Sequence, residues 1–411
     1  MGNGMRRAAL ALACFGIAAA TAAAAPVNGV EEIQLDWAGL PVMAGHPPSH
    51  AFGDGMGMAM GAQAGSTHEI AFAPGKGAEA VISGQNYGGL AHIRPGQRTV
   101  YQRLPLGSGP HGLGYDKDGL LWVTLEFAGR VVAFDPDGKK VRDIDVRIAC
   151  HGCAVPLNPH PHGLAVVDSG RAVWATGKAT GTVSRIDAST AAASVATYQL
   201  PTTGSTPIYI RQGPDLAAPP GGTQRETMWV TELTGNAIAS VSVAATKRGA
   251  GPPPADIVEY RIPTANSRPI AVEKGPDGRM WFTEEAGGKV GRIERDGKVS
   301  EFPLPSPAGR PQLLLAGLAF DGAGNLWVQQ YAGHGDAPAP GVDRLIVISS
   351  RILGAAPGEL KPQDFGCFPV PTADTVMHRI ARTPDGAMWF TEMNANKVGR
   401  VDPNAARQAC S

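Results

Sequence analysis

Residues Arg268–Pro305 read RPIAVEKGPDGRMWFTEEAGGKVGRIERDGKVSEFPLP. The stretch is a chain of short apolar-alternating segments separated by turn residues. Asp277-Gly278 and Asp296-Gly297 fit tight hairpins, because glycine accepts a positive φ at no steric cost. Trp281 opens a Trp-Phe-Thr-Glu segment, and Lys289-Val-Gly-Arg-Ile follows the next corner. The same text returns near the end of the chain as Met377–Pro403, MHRIARTPDGAMWFTEMNANKVGRVDP.

Working outward, six units carry the Trp anchor, at Trp122, Trp174, Trp229, Trp281, Trp327 and Trp389. A seventh, THEIAFAPGKGAEAVISGQNYGGLAHI from Thr67, has Val81-Ile82 where Trp would stand. The aligned starts are His68, His111, His162, Ile208, Ile270, Ala316 and His378, spaced by 43, 51, 46, 62, 46 and 62 residues. A period in this range, built of short strands and Asp-Gly turns, predicts an all-β, seven-bladed β-propeller with four-stranded blades. The last unit stops after its third strand at Val401-Asp402, while Glu31–Trp37, EEIQLDW, resembles the closing strand Val299–Leu304. The N-terminal strand is therefore expected to complete the last blade and lock the ring.

Residues 1–25 read as a secretory signal: Arg6 and Arg7, the apolar run Ala8–Ala20, then small residues with Ala-x-Ala cleavage sites. The rest, 26–411, is expected to be a single propeller domain, with a Gly- and Met-rich loop at 41–66. No later run approaches the ~18–20 apolar residues of a membrane span. Lys+Arg and Asp+Glu are both 36, so the chain has no basic footprint for nucleic acid. A monomeric protein, secreted or periplasmic, is expected. Outside the signal there are four cysteines, and in an exported protein disulfides are the default. Cys150 with Cys153 and Cys367 with Cys410 is the natural pairing, although four cysteines permit three connectivities.

Two anomalies point to chemistry. His378, His68, His111 and His162 hold the start position in four blades that become consecutive once the ring closes. The other three blades place Ile208, Ile270 and Ala316 there, so the position does not demand His. Neutral imidazole is both a metal ligand and an acid/base group. Second, Glu232, Glu284 and Glu392 stand three residues after Trp, whereas the second unit reads WVTLE, so Glu126 stands four after Trp122. Successive strand residues face opposite ways, so the shift turns Glu126 toward His111. The other three glutamates read as structural hydrogen-bonding groups at the corners. His151, His160 and His334 lie on loops and are expected to be solvent-exposed.

From about Thr67 to Pro403 the repeat closely resembles that of the streptogramin B (virginiamycin B) lyases, seven-bladed propellers that open a cyclic depsipeptide by Mg²⁺-dependent elimination. The resemblance implies His111, in PHGL, as the catalytic His, Glu126 as the active-site carboxylate and His68 as a second active-site His. It implies Mg²⁺ or another divalent metal near Glu126 and His68, and a small cyclic ester or peptide as ligand. His162 stands where the family has Tyr, and with His378 would line the channel rim. Gly109 stands where the family has an acidic residue two before the catalytic His. A non-catalytic, ligand- or protein-binding propeller and a lactone hydrolase of the gluconolactonase type are the alternative functions.

Overall fold

The structure, a computed structural model, describes residues 26–37, 67–75, 79–94, 96–150, 152–167, 172–189, 192–219, 222–244, 253–310, 313–333, 339 and 341–410. The signal segment, the 41–66 stretch, His151 and His334 lie outside the described residues.

Seven four-stranded antiparallel sheets form the ring. Each sheet is one blade. The first strands are Thr67–Phe72, Pro110–Tyr115, Pro161–Val166, Pro207–Gln212, Pro269–Lys274, Leu314–Phe320 and Met377–Arg382. Neighbouring first strands touch one another around the inner ring, and the fourth strands form the outer edge. Burial follows that order: Leu121–Leu125, a second strand, is buried throughout, while Lys140–Asp145, a fourth strand, is mostly exposed. The six repeat tryptophans are 0–2% exposed and form the cores between blades. Trp174, Trp229, Trp281 and Trp327 each pack on an aromatic of their own fourth strand, Tyr198, Tyr260, Phe302 and Phe368.

The ring closes as the repeat predicts. Val30–Gln34 pairs antiparallel with Lys397–Val401, the third strand of the last blade. The closing strand is shorter than the expected Glu31–Trp37. Leu35 N still donates to Asn396 O at 2.9 Å, but Trp37 leaves the sheet, stacks on Tyr87 and meets Tyr101 of the first blade edge-on. A Cβ at Gly84 would lie 2.7 Å from the Trp37 ring, so glycine is what lets the indole settle there. Both expected disulfides are present, Cys150–Cys153 and Cys367–Cys410. The second ties the tail after the last blade to the outer strand of the sixth, where Cys367 and Gln408 also exchange backbone hydrogen bonds.

Candidate functional site

Every first strand contains an irregularity at its channel end. Pro110 pairs with Leu125 and Leu113 with Val123, which leaves His111 and Gly112 facing Thr124 alone. The same bulge sets His68, His162 and His378 out of the ladder. Bulges re-aim side chains, and here a hydroxyl pins each one. Thr124 Oγ1 accepts from Gly112 N at 2.7 Å and donates to His162 O, in the next blade, at 2.9 Å. Thr391 Oγ1 accepts from Arg379 N at 3.0 Å and donates to His68 O at 2.9 Å. The Thr of the Trp-x-Thr motif therefore fixes both its own bulge and the imidazole-bearing residue beside it. A Cβ on Gly112 would come 2.5 Å from His162 O, so glycine permits that close approach.

The four imidazoles meet. Ring centroids lie 5.1 Å apart for His68–His378, 4.9 Å for His68–His111 and 3.6 Å for His111–His162. All four residues are at most 3% exposed. Neither ring nitrogen of His111 has a hydrogen-bond partner, nor has Nε2 of His378. His162 Nδ1 lies 2.8 Å from Ile208 O. A carbonyl only accepts, so Nδ1 carries the proton and Nε2 the lone pair. Burial, followed by the Lys178 and Arg379 charges, holds His162 well below the ordinary imidazole range. Burial and then the neighbouring imidazoles do the same for His111. For His378 the causes are burial and then Arg379.

Glu126 lies against this cluster: one ligand atom each from His111, Glu126 and His162 fall within 4.8 Å of one another. The shifted register does bring the carboxylate to His111. It also brings partners that the sequence reading did not name. Lys178 Nζ is 2.8 Å from Glu126 Oε1, and Gln85 Nε2 donates to Oε2 at 2.5 Å. His160, expected on an exposed loop, is largely buried with Nδ1 3.6 Å from Oε1. Burial pushes the Glu126 carboxyl up, but the Lys178 ammonium, His160 and His111 outweigh it and hold the group well below the usual carboxylate range. Glu126 is thus an ionised carboxylate already matched by a cation.

That arrangement does not fit Mg²⁺ at Glu126. Mg²⁺ demands near-octahedral oxygen ligation, and both oxygens of this carboxylate are engaged by Lys178 and Gln85. A second carboxylate cannot stand at position 109. Gly109 has φ +62°, and a Cβ there would overlap the Phe127 ring. The imidazoles are a different donor set: one ring nitrogen from each of His68, His111 and His378 lies within 4.8 Å of the others.

The corner glutamates differ from expectation as well. Glu232, Glu284 and Glu392 are fully buried, and none of their carboxyl oxygens makes a hydrogen bond of acceptable geometry. Burial, followed by the facing Glu259 and Glu301, pushes Glu232 and Glu284 up to about 8. Burial and then Glu32 raise Glu392. They are carboxylic acids shut inside the blades, each facing a fourth-strand carboxylate.

Fold and site together define a seven-bladed propeller with a sealed imidazole–carboxylate cluster where the inner strands of the seventh blade and the first three blades converge. The sequence profile of the virginiamycin B lyase family matches residues 144–335. A virginiamycin B lyase from Nocardia farcinica is 30% identical over 238 residues, covering 53% of this chain and 77% of the relative. The chain belongs to the virginiamycin B lyase family. Among solved structures, a catalytically inactive His-to-Ala variant of virginiamycin B lyase from Staphylococcus aureus with quinupristin superposes with a TM-score of 0.61 at 23% identity. It covers 82% of this chain and 95% of its own. A streptogramin B lyase superposes at 0.62 with 19% identity, over 83% and 94% of the two chains. At these identities the superpositions speak to the fold.

Proposed function

We propose that the protein is an exported carbon–oxygen lyase that opens a lactone or other cyclic ester by elimination, with the proton taken by the imidazole cluster around His111. The observation that carries this reading is the convergence of His111, His162 and Glu126 at one place on the inner ring. In such an elimination a base removes a proton from the carbon next to the one bearing the ester oxygen. The carbon–oxygen bond breaks, its electron pair leaves with the carboxylate, and a carbon–carbon double bond remains. Neutral imidazoles supply the base. Glu126, fixed in its ionised form, holds Lys178 in place, and that ammonium faces the negative charge that develops on the leaving carboxylate. A divalent ion, when bound, would polarise the ester carbonyl. The imidazoles His68, His111 and His378 would hold it in preference to Glu126. Export is supported by the signal-like first 25 residues and by two disulfides. Among the described residues no helix is long and apolar enough to cross a membrane.

A second reading, a non-catalytic binding propeller, is favoured by one observation: all four imidazoles are at most 3% exposed, which leaves a large ligand little access. The deciding experiment incubates streptogramin B and simpler cyclic and linear esters with wild type, His111→Ala and Glu126→Gln, and reads product mass and ultraviolet absorbance. Elimination preserves mass and adds conjugation, whereas a lactone hydrolase adds the mass of water. His111→Ala is expected to lower turnover by roughly 10²–10⁴-fold. Full activity of that variant would reject the mechanism, and no turnover of any ester by wild type would favour the binding reading.

A further inference from the structure

The start position of a first strand is apolar in three blades, where Ile208, Ile270 and Ala316 are at most 1% exposed. The fold therefore tolerates an apolar residue there, yet four consecutive blades bury imidazole instead. A buried polar group without a partner is costly and calls for an explanation such as an ion or ordered water. His111 leaves both ring nitrogens unmatched and His378 leaves Nε2 unmatched. The same two residues belong to a set in which His68, His111 and His378 each offer one ring nitrogen within 4.8 Å of the other two. Carboxylates do not compete for an ion at this point. Glu126 is held by Lys178 and Gln85, and Glu69 pairs with Arg379 at 3.0 Å.

We propose that His68, His111 and His378 form a three-imidazole site for a borderline divalent transition ion of the Zn²⁺ or Co²⁺ kind. Three neutral nitrogen donors suit Zn, Cu, Ni or Fe(II) and not Mg²⁺ or Ca²⁺, which take oxygen. Three protein ligands leave a fourth position open, the arrangement of a catalytic and not a structural ion. His162 stands beside this set. Its ring lies 3.6 Å from that of His111, and its Nδ1 is committed to Ile208 O, so the Nε2 lone pair is free to accept a proton. On this assignment His111 gives its lone pair to the ion and the base of the cluster is His162. The proposal goes beyond the lyase reading, because an ion here is measurable whatever the protein turns over.

The test uses the full exported chain with both disulfides intact, confirmed by the absence of titratable thiols, so that cysteine cannot bind the probe. Protein refolded with Zn²⁺ or Co²⁺ is gel-filtered and its metal content measured. About one ion per chain is expected, with visible ligand-field bands for the Co²⁺ form that a large excess of Mg²⁺ does not remove. His68→Ala and His378→Ala should retain less than about a tenth of an ion while keeping wild-type circular dichroism. Glu126→Gln should retain the full complement, which separates an imidazole site from one built on the carboxylate. Wild-type protein that keeps no ion would mean that ordered water satisfies the rings, and would overturn the proposal. So would a Co²⁺ spectrum unchanged by the two alanine substitutions, or loss of the ion in Glu126→Gln. Stoichiometric binding without ester turnover leaves this site standing and overturns the lyase reading. Ester turnover by wild-type protein that retains no ion after refolding with Zn²⁺ or Co²⁺ does the reverse.

Discussion

Lys178 stands four residues after Trp174, as Glu126 stands four after Trp122, and the two side chains meet at 2.8 Å across the join between neighbouring blades. Gln85 holds the same place in the first blade, since Val81 pairs with Ala71 just as Trp122 pairs with Gly114. Three consecutive blades thus contribute an amide, a carboxylate and an ammonium from one register position to one buried group. The pair is enclosed, so removing one partner strands a charge. Lys178→Met is expected to destabilise the protein by about 3–5 kcal/mol, the usual cost of an orphaned buried charge. Glu126→Gln in the Lys178→Met background should recover much of that loss. Denaturant unfolding of the two single variants and the double gives the coupling, and strictly additive effects would count against the pairing.

The bulge pins make a second expectation. Thr124→Val keeps the shape of the side chain but removes the acceptor for Gly112 N and the donor to His162 O. A loss of about 1–3 kcal/mol is expected from the buried groups left unpaired. The imidazole cluster should also lose its geometry, lowering any ester turnover. Thr231→Val removes the equivalent bond to Tyr209 N but serves a blade without a cluster histidine. It should match the stability loss while sparing the chemistry, and equal loss of activity in both variants would contradict the assignment.

Much of this was legible in the sequence because repetition makes position meaningful. Six units with Trp at one register and a seventh without it announced the blades, and a missing fourth strand at one end matched a spare strand at the other. The four histidines could be placed together because a shared start position in adjacent blades becomes a shared place in space. The shift of Glu126 by one residue was visible for the same reason. Lys178 was equally available, at the identical offset from Trp174, but a cation four after Trp carries no signal until its neighbour's carboxylate is known to face it. Gln85 was hidden by the absence of Trp from the first blade. His160 lay beyond reach, because its burial depends on a backbone turn with φ 54° that folds a loop residue inward. The corner glutamates looked like hydrogen-bonding groups because their recurrence is obvious, whereas the opposing carboxylates Glu259, Glu301 and Glu32 sit on fourth strands and face them only once each blade has folded.

Ring closure can be tested in two ways. Deleting residues 31–37 removes the ladder along Lys397–Val401 and exposes the edge of the last blade. Trp37→Ala leaves the ladder but empties the site over Gly84, and the usual cost of truncating a buried Trp is about 3–5 kcal/mol. Both should lower the thermal midpoint, the deletion more than the substitution. A deletion variant that unfolds at the wild-type temperature would show that the ring does not depend on its N-terminal strand.

The buried corner acids set a pH dependence whose sign follows from proton counting. In the fold, burial and the facing carboxylates push Glu232 and Glu284 up to about 8, and an unfolded glutamate titrates near ~4.3. Between those values the folded protein keeps protons that the unfolded chain has released, so stability falls as pH rises. The contribution is fully present below the unfolded value and is lost once pH has passed through the folded one. A shift of this size is worth on the order of a few kcal/mol for each group. Replacing the acids with an uncharged isostere removes the titration and keeps the shape. Glu232→Gln/Glu284→Gln should therefore resemble wild type in urea unfolding near pH 5 and exceed it above pH 8. Glu301, which accepts from Thr264 N at 2.9 Å and from Lys289 Nζ at 3.0 Å, stays ionised throughout and supplies the charge that keeps Glu284 protonated. Glu301→Gln should accordingly lower the Glu284 transition, so that the loss of stability levels off at a lower pH and is smaller in total. Stability profiles of wild type and the double Gln variant that run parallel from pH 5 to pH 9 would mean that the two carboxyls are already ionised in the fold.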